Sequence, residues 1–408
     1  MRLAAIFNSL RQKEFAKLYA AQTVSLLGDA FTWVGIALLA FEFGGENSAA
    51  ILSTALTLRV TAFILFAPYA GVLADKINRR KILLIADFGR MALVTLLAFV
   101  NAEWQIYLIV FFLNVFSAFF TPSFKASIPQ MIKDKEKFAP AIALSNATYQ
   151  VLAIMGPGIA GIAAAWLGSR EIFLADSISY LLSALLVLAI SRNLFSFKVN
   201  AVKSEISIGK WKEVFTGTML LFKDRVIRFA LLIEFAAAIV GANILVNTVG
   251  YVKGILAQDD KHYGWVMSAL GVGAAIGAFG AAILDKSKTR KWSLIIGGLI
   301  VSLAVLPANH ASFYLLIFLW LVAGFGQNLA EMPSQMLIAE RIPLEQQGKV
   351  YGAHFAWSHL WWAIGYPIAG FLGSHFKNTS FIIAGYLALS ILIIVFLTHT
   401  FQKQVNEK

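Results

Sequence analysis

The chain has 408 residues, of which 59% are hydrophobic and 14% charged, and it contains no cysteine. Soluble domains carry roughly 45–50% apolar and about 25% charged residues, so this composition argues against a water-soluble enzyme. The lack of cysteine excludes disulfides, thiolate metal sites and cysteine catalysis. A formal net charge of +12 would suggest a nucleic-acid partner, unless the basic residues follow membrane topology.

Twelve apolar segments follow one another along the chain. Each is close to the length of a bilayer-spanning helix, which takes about 20 residues. The first segment is too long for the apolar part of a cleavable signal peptide, and no small-residue cleavage site precedes the second. The pattern predicts an all-α membrane protein with twelve transmembrane helices. Their approximate bounds are 16–43, 50–74, 82–100, 104–124, 139–167, 171–191, 227–252, 263–284, 292–308, 312–339, 350–373 and 380–398.

Lysine and arginine are distributed unevenly between alternate loops. With a cytoplasmic N-terminus, 28 of the 34 basic residues fall in cytoplasmic segments and four on the opposite side, while Arg59 and Arg90 lie inside spans. This asymmetry follows the positive-inside rule and predicts that both termini are cytoplasmic. Topology therefore accounts for the basic charge without a nucleic-acid partner.

The longest polar segment lies near the middle of the chain. We interpret 192–226 as a cytoplasmic linker between two six-helix halves, 1–191 and 227–408. A helix at about Lys210–Phe222 would either lie at the membrane surface or belong to a solvated connector.

Two short repeats indicate that the halves are duplicates. The pattern D-K-x-x-x-R-K occurs at Asp75–Lys81 and again at Asp285–Lys291, each time between the second and third segments of a half. The residues of Ile159–Gly161 recur as Ile368–Gly370 at nearly the same offset. Parallel six-helix halves imply a secondary transporter whose substrate site lies at the midplane between them.

The first repeat belongs to a longer motif. Gly71–Lys81 resembles the signature loop G-x-x-x-D-[RK]-x-G-[RK]-[RK] of the major facilitator superfamily. Asn78 takes the place of the family's glycine, a mild departure because asparagine tolerates a left-handed turn. The resemblance implies two pseudo-symmetric six-helix halves that work by alternating access.

Other segments resemble particular branches of that superfamily. Gly156, Pro157 and Gly161 are similar to the fifth-span G-P-x-x-G-G motif of antiporters, although one of its glycines is replaced. Ser25–Asp29 and Phe173–Ser179 are similar to the macrolide-efflux and enterobactin-exporter branch. The resemblance implies proton-coupled export of a bulky amphipathic drug, such as a macrolide, or of a siderophore across the bacterial inner membrane.

The basic loop after the second segment is a candidate cytoplasmic gate. A carboxylate at Asp75 can pair with basic groups and with the positive end of a facing helix, and would then latch the halves together. Alternatively, the loop only determines topology. Asp87 and Arg90, three residues apart, either join this cluster or pair with each other. The candidate gate residues are Gly71, Asp75, Arg79, Arg80, Asp87, Arg90, Asp285 and Arg290.

Ionisable residues inside the spans are costly to bury, so each is a functional candidate. Asp29 lies roughly 18 Å into the first span, and Arg59 lies roughly 22 Å from the same face of the membrane on the second. We expect Asp29 to be the carboxylate that couples transport to protons, with Arg59 close enough to influence its titration. The alternative is a permanent ion pair between the two helices. Glu234 and Glu331 are further candidate proton-coupling groups.

Amide side chains recur at helical spacing and are candidate cavity residues. They either line a substrate cavity or form hydrogen bonds between helices. Aromatic side chains suit bulky amphipathic or cationic substrates, although tryptophans also anchor spans at the membrane interface. The candidate cavity residues are Asn146, Gln150, Asn243, Asn247, Gln327, Asn328 and Trp357.

The sequence favours transport over other functions. His354 and His359 are five residues apart, a poor spacing for one metal site, and we expect no cofactor. No Walker-type sequence or catalytic constellation is visible, so we expect a monomeric secondary transporter and not an ATP-driven pump or an enzyme. The rival functions are a lysophospholipid flippase, a small-molecule importer, and a non-transporting membrane sensor or assembly factor.

Overall fold

The computed structural model describes residues 9–132, 138–195, 208–283 and 290–406. These residues form thirteen α-helices and no β-strand. The first six helices are α1 (Lys13–Gly44), α2 (Ser48–Lys76), α3 (Arg79–Leu97), α4 (Glu103–Met131), α5 (Phe138–Leu167) and α6 (Glu171–Leu188). After α7 (Ile208–Lys223) come α8 (Arg225–Gly250), α9 (Asp260–Ile283), α10 (Arg290–Ala304), α11 (Phe313–Arg341), α12 (Leu344–His375) and α13 (Ser380–Asn406).

The predicted all-α membrane class is confirmed. Among the described residues, seven stretches are long and apolar enough to cross a membrane, or eight if a pair of helices bent by 50° within α5 is one span. The longest stretch, Lys13–Ala67, runs through α1 and into α2. The count of twelve membrane spans stays a prediction, although twelve long helices flank α7.

Polar side chains determine where two of the helices begin. Asn78 is the N-cap of α3, where its side chain accepts a hydrogen bond from the Arg80 backbone N–H at 3.0 Å. Its φ of −56° is outside the left-handed region, so the backbone here does not require a glycine. Asp224 caps α8 through the N–H groups of Val226 and Ile227 and also accepts from Arg341 Nε at 2.8 Å. Such caps are worth about 1 kcal/mol each.

The chain divides into two compact units. The first comprises Met1–Leu39 and Leu58–Glu205, and the second comprises Ala40–Thr57 and Ile206–Lys408. The division resembles the two expected halves, except that Ala40–Thr57, where α1 passes into α2, groups with the C-terminal helices.

Within the first unit, apolar residues of α1, α3, α4 and α6 form a common core. It includes Phe15, Leu83, Phe124 and Val187, each less than 3% exposed. A buried polar cluster lies among the same helices and is described below.

In the second unit, α8 is the central helix and is almost entirely buried. Glycines let the surrounding helices approach one another closely. A Cβ added at Gly273 of α9 would overlap the Leu321 carbonyl group of α11, and one added at Gly324 would overlap the Leu270 carbonyl group. Small residues at such contacts increase van der Waals packing, which drives helix association where there is no water to exclude.

Within the second unit, Ala40–Thr57 packs against the C-terminal helices through similar small residues. A Cβ added at Gly370 of α12 would overlap Ser53, and one at Gly373 would overlap the Asn247 side chain and lie 2.5 Å from the Ala49 Cβ. Lys377 Nζ donates to Glu46 Oε2 at 2.7 Å beside this contact. The segment is therefore held by close packing and by an ion pair.

We expect Gly373→Ala to destabilise the protein by about 1–3 kcal/mol, because the added methyl group overpacks a filled interface. Gly352→Ala on the same helix is the matched control, since nothing lies within 4 Å of a Cβ added there. Thermal unfolding of the purified variants in detergent measures the difference. Equal unfolding temperatures for the two variants would contradict the packing described for Ala40–Thr57.

Candidate functional site

A cluster of buried polar side chains joins α1, α3 and α6 in the first unit. We call it the N-terminal polar cluster. It contains three carboxylates, one guanidinium group and four hydroxyl groups. Its members are Asp29, Thr32, Asp87, Arg90, Asp176, Ser179, Tyr180 and Ser183.

The charged pair Asp87 and Arg90 lies at the centre of this cluster. Both are on α3, three residues apart, and form an ion pair with exposures of 0% and 2%. Ser183 Oγ donates to Asp87 Oδ2 at 2.8 Å. The guanidinium carbon of Arg90 lies 4.2 Å from the ring centroid of Phe120 and 4.4 Å from that of Tyr180. Of the two possibilities left open by the sequence, local pairing is therefore what the structure shows.

Asp176 and Asp29 place two more carboxylates nearby. Asp176 accepts hydrogen bonds from the Thr32 hydroxyl and, at 2.8 Å, from Ser179 Oγ. The Tyr180 hydroxyl, one helical turn beyond Asp176, donates to Asp29 Oδ1. Three carboxylates against one guanidinium leave two negative charges if every acid is ionised. Such a cluster is chemically suited to taking up a proton or another cation.

Gly28 makes this approach of α1 and α6 possible. A Cβ at Gly28 would overlap both Ser179 Oγ and Asp176 Oδ1. The glycine that precedes Asp29 therefore gives Asp176 the space to lie against α1.

Arg59 does not pair with Asp29 in the described contacts. Its guanidinium carbon lies 4.2 Å from the ring centroid of Trp33, whereas Asp29 bonds to Tyr180. The permanent ion pair considered from the sequence is therefore not found.

Sequence reasoning missed Asp176 and Tyr180 as site residues. Asp176 is an ionisable residue inside an apolar segment, so the rule that singled out Asp29 applies to it equally. Tyr180 carried no comparable signal, because tyrosine is common in membrane helices.

Two of the candidate gate residues bond to the ends of helices in their own unit. Arg79 Nη1 donates to the Ala126 carbonyl at 2.7 Å, and Arg80 donates to the carbonyls of Val187 and Leu188. Basic groups are favourable there because the C-terminal end of a helix carries a partial negative charge.

Several other candidates lie partly outside the described structure. The helices place Gly71 and Asp75 on α2, Asn146 and Gln150 on α5 and Arg290 at the start of α10, but their side chains are outside the described part of the chain, as is all of Asp285.

The antiporter-like motif coincides with the bend in α5. Pro157 cannot donate to the carbonyl of Ala153 four residues earlier, and its ring collides with that group. The bend accordingly lies between Ala153 and Met155. A Cβ at Gly156 would lie 2.7 Å from the Ala30 Cβ of α1, so this glycine permits a close contact with the helix that carries Asp29. Gly161 continues the same helix.

A second group of polar side chains lies in the other unit, between α8, α11 and α12. We call it the C-terminal polar cluster and define it as Glu234, Gln327, Glu331, Ser334 and His354. Glu234 Oε1 accepts from the Ser334 hydroxyl and lies 3.0 Å from His354 Nε2. Gln327 donates to Glu331 Oε1, and Ser334 Oγ lies 2.7 Å from the Glu331 backbone carbonyl. The structure thus brings the two expected glutamates into one cluster and adds His354.

Five side chains of this unit bury polar atoms that have no partner in the described structure. They are Glu234 Oε2, Gln327 Oε1, Trp361 Nε1, Ser374 Oγ and both amide atoms of Asn243. Unsatisfied buried groups are rare in native proteins and are candidates for binding or conformational change.

The remaining candidates have varied surroundings. Asn247 Nδ2 donates to the Ala369 carbonyl at 3.0 Å and so links α8 to α12. Trp357 Nε1 donates to Thr218 Oγ1 at 3.3 Å, and its ring lies 4.9 Å from that of Phe222, so it packs against α7. Asn328 is half-buried. Within the described residues, no group of three His, Asp or Glu side chains could hold a metal ion.

We expect Arg90→Met to destabilise the protein by about 3–5 kcal/mol, because it leaves Asp87 buried without its counter-charge. The double variant Asp87→Asn/Arg90→Met should recover part of this loss, since no buried charge is then left unpaired. Arg59→Met is the control and should cost less than about 1 kcal/mol, the value of its contact with Trp33. Unfolding by increasing concentrations of a denaturing detergent measures the stability of all three variants. A double variant less stable than Arg90→Met would contradict the pairing.

Comparison with known proteins identifies the family. A family model described as Major Facilitator Superfamily matches residues 18–288 and 231–408. The MFS-type transporter YfiS of Bacillus subtilis is 25% identical over 84% of this chain and 82% of its own length. Macrolide efflux protein A of Streptococcus pyogenes is 28% identical over 38% of this chain and 39% of its own. The lysophospholipid transporter LplT of Yersinia enterocolitica is 26% identical over 79% of this chain and 77% of its own length.

A solved structure agrees with this assignment at the level of the fold. A variant of the nucleoside transporter NupG superposes with a TM-score of 0.73, covering 95% of this chain and 99% of its own, at 13% identity. At that identity the likeness concerns the fold alone. Together with the family match, these findings show that the chain belongs to the major facilitator superfamily and is a multi-pass membrane transporter.

Proposed function

We propose that this transporter exports a bulky amphipathic compound in exchange for protons. The substrate would be a drug of the macrolide kind or a siderophore. The observation that carries the proposal is the N-terminal polar cluster, which holds one buried arginine, two buried carboxylates and the half-buried carboxylate of Asp29.

The charge imbalance in this cluster supports proton binding. Asp87 already pairs with Arg90. Asp29 and Asp176 have only hydroxyl donors in the described contacts, and hydroxyl groups stabilise a carboxylate less than a counter-charge does. A proton on either acid removes one of the two excess negative charges from the apolar interior.

Asp29 is the better of these two acids for coupling. It is half-buried, whereas Asp176 is fully buried. Asp29 is therefore the more accessible of the two acids, and the Tyr180 hydroxyl connects it to the helix that carries Asp176. Entry of one proton down a potential of 100 mV would supply about 2.3 kcal/mol for export.

Export as the direction of transport is supported by one of the relatives. Macrolide efflux protein A matches over 38% of this chain, which is less than one half. The charge distribution supports a bacterial inner membrane and cytoplasmic termini. Because the chain lacks cysteine, single cysteines introduced into each loop can be labelled from either side to test that topology.

We expect Asp29→Asn to abolish the part of export that depends on a proton gradient, because the amide cannot take up a proton. Export from cells expressing the protein is measured for a panel of macrolides and siderophores with and without a protonophore. Without protonophore, cells that express the variant should accumulate each substrate to the level that wild-type cells reach when the protonophore is present. Gradient-driven export that persists in Asp29→Asn would refute coupling at this residue.

Asp259→Asn is the matched control for that experiment. Asp259 lies outside the helices with a side-chain exposure of 61%, and a hydrogen bond from His262 holds the pKa of its carboxyl below the ordinary value. It is therefore an ionised aspartate away from both polar clusters, and its replacement should leave export unchanged.

A lysophospholipid flippase is the second candidate. It is favoured by the longer match to LplT, which covers 79% of this chain. Purified protein in vesicles would then move a labelled lysophospholipid between leaflets without a proton gradient. Movement at equal rates with and without a gradient, together with no protonophore-sensitive export, would replace the exporter by the flippase.

A further inference from the structure

The proposed role of Asp29 leaves a buried carboxylate and imidazole in the other unit without a function. Glu234 and His354 are 4% and 7% exposed, and their side chains lie 3.0 Å apart. The second carboxylate oxygen of Glu234 is buried without a partner. A buried carboxylate with one unsatisfied oxygen is stable as an anion only when a nearby group carries positive charge.

Among the described contacts of Glu234, His354 is the one group that can carry a positive charge. From α11 it meets the Ser334 hydroxyl, with Glu331 and Gln327 bonded to each other nearby. From α12 it meets His354. The α13 helix has no Asp, Glu, Lys or Arg between Ser380 and Thr398.

Basic residues at the ends of the neighbouring helices have other described contacts. Lys291 at the start of α10 lies 5.6 Å from the ring centroid of Phe229. Arg228 of α8 donates to the Phe222 carbonyl at 2.9 Å. Arg341 pairs with Asp224. The cluster thus holds two carboxylates and one imidazole, and its net charge depends on protons.

The cluster lies on a polar stripe that leads to the end of the helices. Gln327, Glu331 and Ser334 follow one another at spacings of four and three residues and so share a face of α11. Arg341 lies two turns beyond Ser334 and pairs with Asp224 at the first turn of α8. Glu234 comes ten residues after Asp224, roughly 15 Å along the helix.

Packing around the stripe favours a proton over a larger ligand. A Cβ added at Gly241 would lie 2.7 Å from the ring of Trp362 and 3.2 Å from the Gln327 amide. The ring of Trp361 lies 4.5 Å from Phe235 and 5.1 Å from Trp357. A proton needs no cavity, so this close packing is compatible with proton binding.

We infer that Glu234 and His354 form a second proton-binding site, separate from Asp29, in the C-terminal unit. One proton taken up by the neutral imidazole and the carboxylate gives an imidazolium–carboxylate pair across the His354 Nε2–Glu234 Oε1 contact. A second proton binds the Glu234 carboxylate and gives a carboxylic acid, and both protons leave again as the pH rises. The inference deepens the proposed proton coupling and rests on it only for the link to transport.

The first experiment is a pH titration of the tryptophan fluorescence of the purified full-length protein. Trp357 lies three residues after His354 on the same helix face, and an imidazolium quenches indole fluorescence more strongly than a neutral imidazole. We expect a sigmoidal pH-dependent change that is lost in His354→Gln. The matched control is His375→Gln, since His375 is an exposed histidine on α12 that contacts the carbonyl of Phe371 in its own helix. A change that survives in His354→Gln overturns the inference.

The second experiment observes the acid directly. Infrared difference spectra between low and high pH should contain a protonated carboxyl band that disappears in Glu234→Gln and remains in Asp29→Asn. A band that is unaffected by Glu234→Gln overturns the inference. If a variant does not fold, nitrogen NMR of labelled histidines in the wild-type protein tests the inference instead. An imidazole of His354 that stays neutral, or stays charged, throughout the pH titration would show that its role is only structural and would overturn the inference.

The two proposals can fail separately. If export proves independent of protons while Glu234→Gln removes the carboxyl band, the site stands and the proposed coupling fails. If Asp29→Asn abolishes gradient-driven export while His354→Gln leaves the fluorescence titration intact, the coupling stands and the second site is wrong.

Discussion

The structure depends above all on the high free energy of an unpaired charge in an apolar interior. In the first unit, Arg90 lies between two aromatic rings and bonds to Asp87, so the energy of its desolvation is offset by an ion pair and by two cation–π contacts. Two other members of the N-terminal polar cluster contact that pair. Ser183 bonds to Asp87, and Tyr180 stacks on Arg90 while it donates to Asp29. One arginine therefore organises the contacts between three helices.

The two units compensate their buried negative charges with different residues. The first unit has a permanent cation, because arginine does not lose its proton in proteins. In the C-terminal polar cluster of the second, the described contacts place His354 beside Glu234, and histidine changes charge within the physiological pH range. The halves are similar in their helices but not in their buried charges, so the chemistry of one unit cannot be transferred to the other by pseudo-symmetry.

The sequence predicted the fold class and the candidate acids better than it predicted their partners. Apolar length and charge asymmetry reveal the helices because these properties depend on the solvent around each segment and not on its neighbours. The local pair Asp87–Arg90 was one of two possibilities that spacing allowed. The bonds of Asp29 to Tyr180 and of Glu234 to His354 join residues 151 and 120 positions apart, and no local pattern encodes them. Arg59 shows the limit of an estimate from depth alone, since an equal depth in the membrane does not determine which way a side chain points.

The grouping of Ala40–Thr57 with the C-terminal helices has a consequence for biogenesis. Ala40–Thr57 is among the first parts of the chain to leave the ribosome. The residues that it contacts are synthesised much later, and they include Gly250, Gly370 and Lys377. Until then its small residues and Glu46 lack their final neighbours. The N-terminal half therefore cannot reach its mature packing during its own insertion, and assembly of the transporter has to finish after translation of α12.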